Sequence, residues 1–270
     1  MGGDGTRPRS PAARRMPDSV GFFTDTSICI GCKACEVACK EWNLVPEDGL
    51  LFLANSYDNS GGLGADTWRH VAFIEQRGPD GVRWLMSSDV CKHCANAACL
   101  EVCPTGALFR TEFDTVVVQE DVCNGCGYCV PACPFGVIDR RERDGRAFKC
   151  TLCYDRLKLD LLPACAKACP TGSIGFGPRT EMEARARARL ARLRDEGVPG
   201  ARLYGTPDAG GEGVGGTGSI FLLLDRPEVY GLPSEPVTPA RELRASWAAA
   251  AVAGGALVLG VVAAVLGGRR

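Results

Sequence analysis

The chain is poor in histidine, with two in 270 residues, and its charges nearly cancel: 31 lysines and arginines face 32 aspartates and glutamates. It has no phosphate-binding loop, no dinucleotide fingerprint and no nucleophile with a base at a recognisable spacing. These absences speak against catalysis by the chain itself. A net charge of −1, with no basic stripe and no interleaved aromatics, gives no reason to expect nucleic acid as a partner. Arg14–Arg15 is not followed by an apolar stretch, so an export signal is not expected there. Residues 1–19, rich in Gly, Pro and Arg, read as a disordered arm.

Cysteine is what the chain has in excess. Sixteen stand in four groups of four, with none left over. Cys29, Cys32, Cys35 and Cys39 are spaced C-x2-C-x2-C-x3-C, and Cys91, Cys94, Cys99 and Cys103 follow C-x2-C-x4-C-x3-C. Cys123, Cys126, Cys129 and Cys133 repeat the first spacing; Cys150, Cys153, Cys165 and Cys169 form C-x2-C-x11-C-x3-C. Proline follows the last cysteine of three groups (Pro104, Pro134, Pro170), and Lys40 follows that of the first.

Three chemistries use cysteine in such numbers. A disulfide framework belongs to short secreted chains and lacks this pattern. Zinc accepts C-x2-C pairs, but a third cysteine two residues on crowds a four-thiolate tetrahedron. A C-x2-C-x2-C loop suits a [4Fe–4S] cube, because it points three thiolates into one concavity while the fourth cysteine leads away to a neighbouring cube. Sixteen thiolates match four such cubes, which implies an electron carrier assembled in a reducing compartment.

Crossed ligation sets the expected partners. The second and third groups form one module over 91–133, with one cube on Cys91, Cys94, Cys99 and Cys133 and another on Cys103, Cys123, Cys126 and Cys129. The first and fourth groups then pair across it, giving Cys29, Cys32, Cys35 and Cys169 for one cube and Cys39, Cys150, Cys153 and Cys165 for the other. His93, inside C-K-H-C, is placed to donate a hydrogen bond to its cube, whereas His70 reads as a satisfied or surface histidine.

Charge is also missing from Ala245 to Gly268, an Ala- and Gly-rich run long enough as a helix to cross about 30 Å of hydrocarbon. Trp247 would mark one interface and Arg269–Arg270 the other. Arg241 and Arg244 at the near end balance those arginines and leave orientation open. Spacings such as Ala251/Gly255 and Gly260/Ala264 suit close packing against a membrane partner.

The rest of the pattern predicts short elements. Trp68–Glu75 and Val82–Ser87 read as strands joined at 78–81, and Ala107–Thr111 with Thr115–Glu120 reads as a hairpin. Val137–Arg141 and Arg146–Lys149 read as a second hairpin, turned at Asp144–Gly145. Residues 51–64 read as an insert loop, and Tyr154–Pro163 as a loop or short helix. Thr180–Glu196 predicts a surface helix with a Thr180/Glu183 capping box, ended by Gly197. Val198–Ser219 reads as loop and Ile220–Asp225 as a strand. The expected fold is α+β: two interleaved ferredoxin-like dicluster modules with short hairpin and helix insertions, plus one C-terminal transmembrane helix. Its expected bounds are an arm at 1–19, the four-cluster domain at 20–225, a tether at 226–244 and the membrane helix at 245–268.

Three stretches carry a family resemblance: DTSICIGCKACEVACKEWN at Asp25–Asn43, CKHCANAACLEVCPTGA at Cys91–Ala107, and CNGCGYCVPACPFG at Cys123–Gly136. With the Tyr230–Pro233 segment and lone apolar tail, the chain resembles the four-cluster ferredoxin-type β subunits of molybdopterin oxidoreductases, and is most like the membrane-anchored formate dehydrogenase-N type. The resemblance implies a non-catalytic electron-transfer subunit. It would take electrons from a molybdopterin (Mo or W) subunit that oxidises formate, and pass them to an integral membrane cytochrome b or quinone-binding subunit. The pair from groups one and four would face the catalytic subunit. The cell membrane, with the cluster domain on the outer face, is the implied location. Hydrogenase, dimethyl sulfoxide, polysulfide and nitrite enzymes use the same wiring, and a membrane-tethered cluster scaffold or redox sensor is the reading from a different class.

Overall fold

The computed structural model describes residues 19–48, 57–58, 60–78, 81–239 and 243–267. Half of the expected insert loop at 51–64, the expected arm up to residue 18 and Arg269–Arg270 lie outside the described residues. In chain order the elements are β1 (Val20–Asp25), α1 (Ala34–Asn43), β2 (Arg69–Gly78), β3 (Gly81–Val90), α2 (Ala98–Glu101), β4 (Leu108–Arg110), β5 (Val116–Val118), α3 (Cys129–Ala132), β6 (Asp139–Arg140) and β7 (Ala147–Phe148). There follow α4 (Tyr154–Leu157), α5 (Ala164–Ala168), β8 (Ile174–Pro178), α6 (Arg179–Asp195), β9 (Arg202–Tyr204), β10 (Ser219–Leu223) and α7 (Leu243–Gly267).

Antiparallel hairpins join the cysteine groups. β2 and β3 pair from Arg69↔Val90 to Gly78↔Gly81 between groups one and two. β4 and β5 link groups two and three, and β6 and β7 link three and four. The circuit closes where β1, ahead of group one, pairs antiparallel with β8, behind group four. Groups one and four are thereby brought together although more than a hundred residues of chain separate them. Helices α1 and α5 pack there, as α2 and α3 do in the inner module. The first hairpin extends beyond its expected bounds at both ends, because backbone pairing runs without a break from Arg69↔Val90 to Gly78↔Gly81.

A four-stranded sheet in the order β8-β1-β10-β9 backs this arrangement, with β1 and β10 parallel and its other pairs antiparallel. One face, bearing Phe23, Ile220 and Leu222, packs under Met182, Ala186 and Leu193 of α6. The other, bearing Phe22, Phe221 and Leu223, packs on the cluster side with Cys35, Cys39, Cys91, Cys150 and Cys165. Because both faces are covered, β10 is apolar at four successive positions and shows no polar alternation.

Two local expectations are corrected. The Thr180/Glu183 capping box does not form: β8 runs directly into α6, Pro178 takes the N-cap position without a side-chain bond, and Glu183 pairs with Arg187 instead. The stretch 198–219 is not all loop, since β9 lies within it and closes the sheet against β10. At the far end, Ser246–Leu266 of α7 has a mean hydropathy of 2.4 and is long and apolar enough to cross a membrane.

Leu222 is fully buried beneath α6 and far in sequence from any cysteine group, so it tests the sheet by itself. Leu222→Ala is expected to destabilise the fold by about 2–5 kcal/mol. Circular dichroism during denaturant unfolding of the full chain in detergent checks it.

Candidate metal centres

The first C-x2-C turn of each group bends the same way. The residue before its second cysteine is left-handed in all four groups: Gly31 (φ 65°), His93 (φ 45°), Gly125 (φ 73°) and Leu152 (φ 57°). The turn folds the backbone around the sulfurs, and N–H groups approach them: Leu152 N donates to Cys150 Sγ at 3.3 Å and Ala147 N to Cys123 Sγ at 3.4 Å. A left-handed non-glycine residue costs of order 1–3 kcal/mol, so His93 and Leu152 are held there by their surroundings. Both are buried.

The residue after the fourth cysteine decides where each helix ends. A proline disfavours helical backbone in the residue before it. Cys133 and Cys169, ahead of Pro134 and Pro170, are accordingly extended and cap short helices. Lys40 imposes no such stop, and α1 continues past Cys39 to Asn43. Cys35 and Cys39 lie four residues apart on one helix, about 6 Å along the axis. That step lets one helix serve two centres.

Three small cavities are each lined by four thiols. One gathers Cys29, Cys32, Cys35 and Cys169; one gathers Cys91, Cys94, Cys99 and Cys133; one gathers Cys103, Cys123, Cys126 and Cys129. The remaining four thiols, Cys39, Cys150, Cys153 and Cys165, are all buried. Burial drives Cys39 upward, helped by repulsion from Cys150, Cys165 and Cys153. Asn43 Nδ2, extended from α1, lies 3.6 Å from Cys39 Sγ and 3.8 Å from Cys153 Sγ.

The donor set fits iron–sulfur cubes better than single ions. A single tetrahedral zinc takes four thiolates at about 2.3 Å, and a third cysteine two residues after a C-x2-C pair crowds that arrangement. Burial pushes Cys35 and Cys153 up to about 11 and Cys99 up to about 12, so as free thiols they stay protonated at neutral pH. A polynuclear cation that takes four thiolates at once supplies the missing charge. Cys103 goes the other way: slight burial raises it, but the Leu108 N–H, the Thr105 hydroxyl and further N–H groups hold it below the usual thiol value.

His93 is fixed as a donor. Val116 N–H donates to its Nδ1 at 3.1 Å, which leaves the proton on Nε2, and Nε2 is buried beside the Cys91 cavity without a hydrogen-bond partner among the described residues. Burial first, then Lys149 and Arg110, hold this imidazole well below the ordinary histidine value. His70 is satisfied by Ser60 at 3.0 Å and Asp58 at 3.2 Å.

Sequence reasoning passed over the buried cations. Arg69 and Lys149 are each only 2% exposed, and Lys92 is 1% exposed. Lysine and arginine are rarely buried, and only their place beside cysteine groups could have suggested it.

Residues 28–107 and 82–179 each match the family described as 4Fe-4S dicluster domain. The chain is 42% identical over 231 residues to the formate dehydrogenase iron-sulfur subunit of Haemophilus influenzae, covering 84% of this chain and 72% of that one. It is 40% identical to the formate dehydrogenase-O iron-sulfur subunit of Escherichia coli K12, over 84% of this chain and 75% of the relative. Against the B subunit of anaerobic dimethyl sulfoxide reductase from the same organism, identity is 39%, over 62% of this chain and 77% of the relative. Identity at this level over most of both sequences places the protein in the family of iron–sulfur subunits to which these formate dehydrogenase subunits belong.

Proposed function

We propose that this chain is the electron-transfer subunit of a membrane-bound formate dehydrogenase and holds four [4Fe–4S] clusters. Cluster A would be held by Cys29, Cys32, Cys35 and Cys169, and B by Cys39, Cys150, Cys153 and Cys165. C would be held by Cys91, Cys94, Cys99 and Cys133, and D by Cys103, Cys123, Cys126 and Cys129. The observation that carries the reading is the mixed origin of the quartets, in which three cysteines from one group meet a fourth from another. Bound there, each cube supplies reversible one-electron chemistry.

The chain's own residues support an order. Cys35 and Cys165 lie near enough to repel as thiolates, as do Cys150 and Cys91, and Cys99 and Cys129. These contacts favour the sequence A, B, C, D. B lies inside, with all four thiols buried. At the A end Cys32 is exposed, as are Ile30 and Val37 close by in sequence, and at the D end Cys126 is exposed, as are Tyr128 and Val122. Exposed apolar side chains and an accessible thiol suit docking faces. A would meet the molybdopterin (Mo or W) catalytic subunit, and D an integral cytochrome b or quinone-binding subunit, with α7 as the membrane anchor. Formate is favoured over dimethyl sulfoxide because the formate dehydrogenase relatives align over more of the chain.

Anaerobic purification of the tagged full chain from native membranes is expected to bring down a pterin subunit, about sixteen iron atoms per chain and formate-dependent reduction of a quinone analogue. A different large subunit with no formate activity overturns the substrate, and markedly less iron overturns the cluster count.

Crossed ligation has its own test. Cys103→Ser is expected to alter the same electron paramagnetic resonance (EPR) signal as Cys126→Ser, and Cys133→Ser the same signal as Cys94→Ser. Local ligation would join Cys103 with Cys94 instead.

His93→Leu removes the Nε2 donor at a position whose counterpart, Leu152, already accepts a left-handed leucine. Reduction at C is expected to become about tenfold less favourable, about 59 mV for one electron, with the other three centres unmoved. An EPR redox titration of the assembled complex measures it.

A further inference from the structure

Two buried cations stand between quartets. Arg69 is almost wholly enclosed, with its guanidinium 4.8 Å from the centre of the Phe22 ring. Its Nη1 donates to the Ser88 carbonyl at 3.2 Å and to Ser88 Oγ at 3.1 Å. Ser88 Oγ in turn lies 3.2 Å from Cys35 Sγ and, having accepted from arginine, is free to donate to that sulfur. Arg69 Nε and Nη2 have no hydrogen-bond partner among the described residues. The negative groups gathered around them are Cys165, Cys35, Cys150 and Cys39, which come from both the A and the B quartets.

Lys149 repeats the arrangement one junction further on. Its Nζ donates to the carbonyls of Val116 and Cys150, the latter at 3.1 Å, while the side chain lines the cavity of Cys91, Cys94, Cys99 and Cys133. It therefore touches B through Cys150 and C through the cavity wall. Lys92 differs, because its ammonium is paired with Asp89. Among the described residues, neither Arg69 nor Lys149 forms an ion pair with a carboxylate, and burying such a cation costs several kcal/mol unless opposite charge compensates.

We infer that Arg69 and Lys149 are positioning residues that each share one positive charge between two adjacent centres, Arg69 between A and B and Lys149 between B and C, and so keep the water-excluded B quartet reducible. The inference rests on the proposed assignment of cysteines to quartets. Reduction adds one electron to a site that four thiolates already make anionic; no bond forms and no proton moves, so charge dominates the cost. In a site without water that cost is large. Two permanent neighbours offset it without any rearrangement. At the A junction the Ser88 hydroxyl extends the effect to Cys35, so arginine and serine act on one sulfur together.

The test is a redox titration of the purified complex with dithionite as reductant, read by low-temperature EPR. Arg69→Gln and Lys149→Gln are each expected to move two of four midpoints to more negative values. The change is a tenfold or greater fall in the reduction equilibrium, about 59 mV for one electron. One midpoint moves in both variants and one, that of D, in neither. Arg69→Lys keeps the charge and is expected to restore midpoints close to the parent's. Four unmoved midpoints with full iron content overturn the inference, as does a uniform shift of all four. Should the glutamine variants lose iron, Arg69→Lys decides: retained iron with parental midpoints supports the shared charge, and iron loss there too makes the role one of shape. Parent complex lacking about sixteen irons fails the quartet assignment itself, and is measured first.

Discussion

Withdrawing thiolates from water is the constraint on which the rest of this structure depends. A cysteine binds iron only as the thiolate, and burial opposes that form, as the raised values at Cys35, Cys99 and Cys153 show. The fold answers with donors. The N–H groups of left-handed Leu152 and of Ala147 in β7 reach Cys150 and Cys123, Asn43 approaches Cys39 and Cys153, and the Thr105 and Thr171 hydroxyls lie 3.7 Å from Cys103 and Cys169. Where donors are not enough, whole charges are brought inside. The strained backbone at His93 and Leu152 and the buried Arg69 and Lys149 are costs that make sense only against this requirement.

One residue type sets the geometry of helix ends. Proline after the fourth cysteine ends a short helix at once and turns the chain toward the next hairpin. Lys40 breaks that habit, and the further residues α1 gains carry Trp42 and Asn43 to the B quartet and α4. Trp42 Nε1 donates to Asp155 at 2.8 Å, and the Arg156 guanidinium lies 4.1 Å from the centre of its ring. Thus α1 ties group one to group four at the point where β1 and β8 also pair. Lys40 itself holds the following loop through the carbonyls of Pro46 and Asp66.

Local features were legible in the sequence, and distant ones were not. The cysteine groups, the hairpins turned at 78–81 and 144–145, and α7 each follow from residues close together in the chain. The four-stranded sheet was largely hidden. β1 is a continuous apolar-to-polar run without period, and its partners lie at 174–178 and 219–223, so nothing nearby marks it as a strand. The capping box failed for the same reason, since pairing of β8 with β1 carries the chain into α6 and leaves Thr180 no cap to make. Arg69 reads as an ordinary strand residue, and its inward side chain follows from the register Arg69↔Val90, which only the paired hairpin fixes.

The difference between the ends and the middle follows from where charge can be compensated. Cys32 and Cys126 are exposed, so water can answer a change of charge there. The B quartet has no such outlet, and an electron placed inside it would face the dielectric penalty alone. A carboxylate paired with Arg69 or Lys149 would cancel the compensation; among the described residues Lys92 is paired with Asp89, whereas these two donate to carbonyls and a hydroxyl. A relay needs neighbouring sites of comparable potential, and burial alone would make the innermost site the hardest to reduce. Fixed internal cations let the same fold exclude water from the centre of the path and still leave it passable.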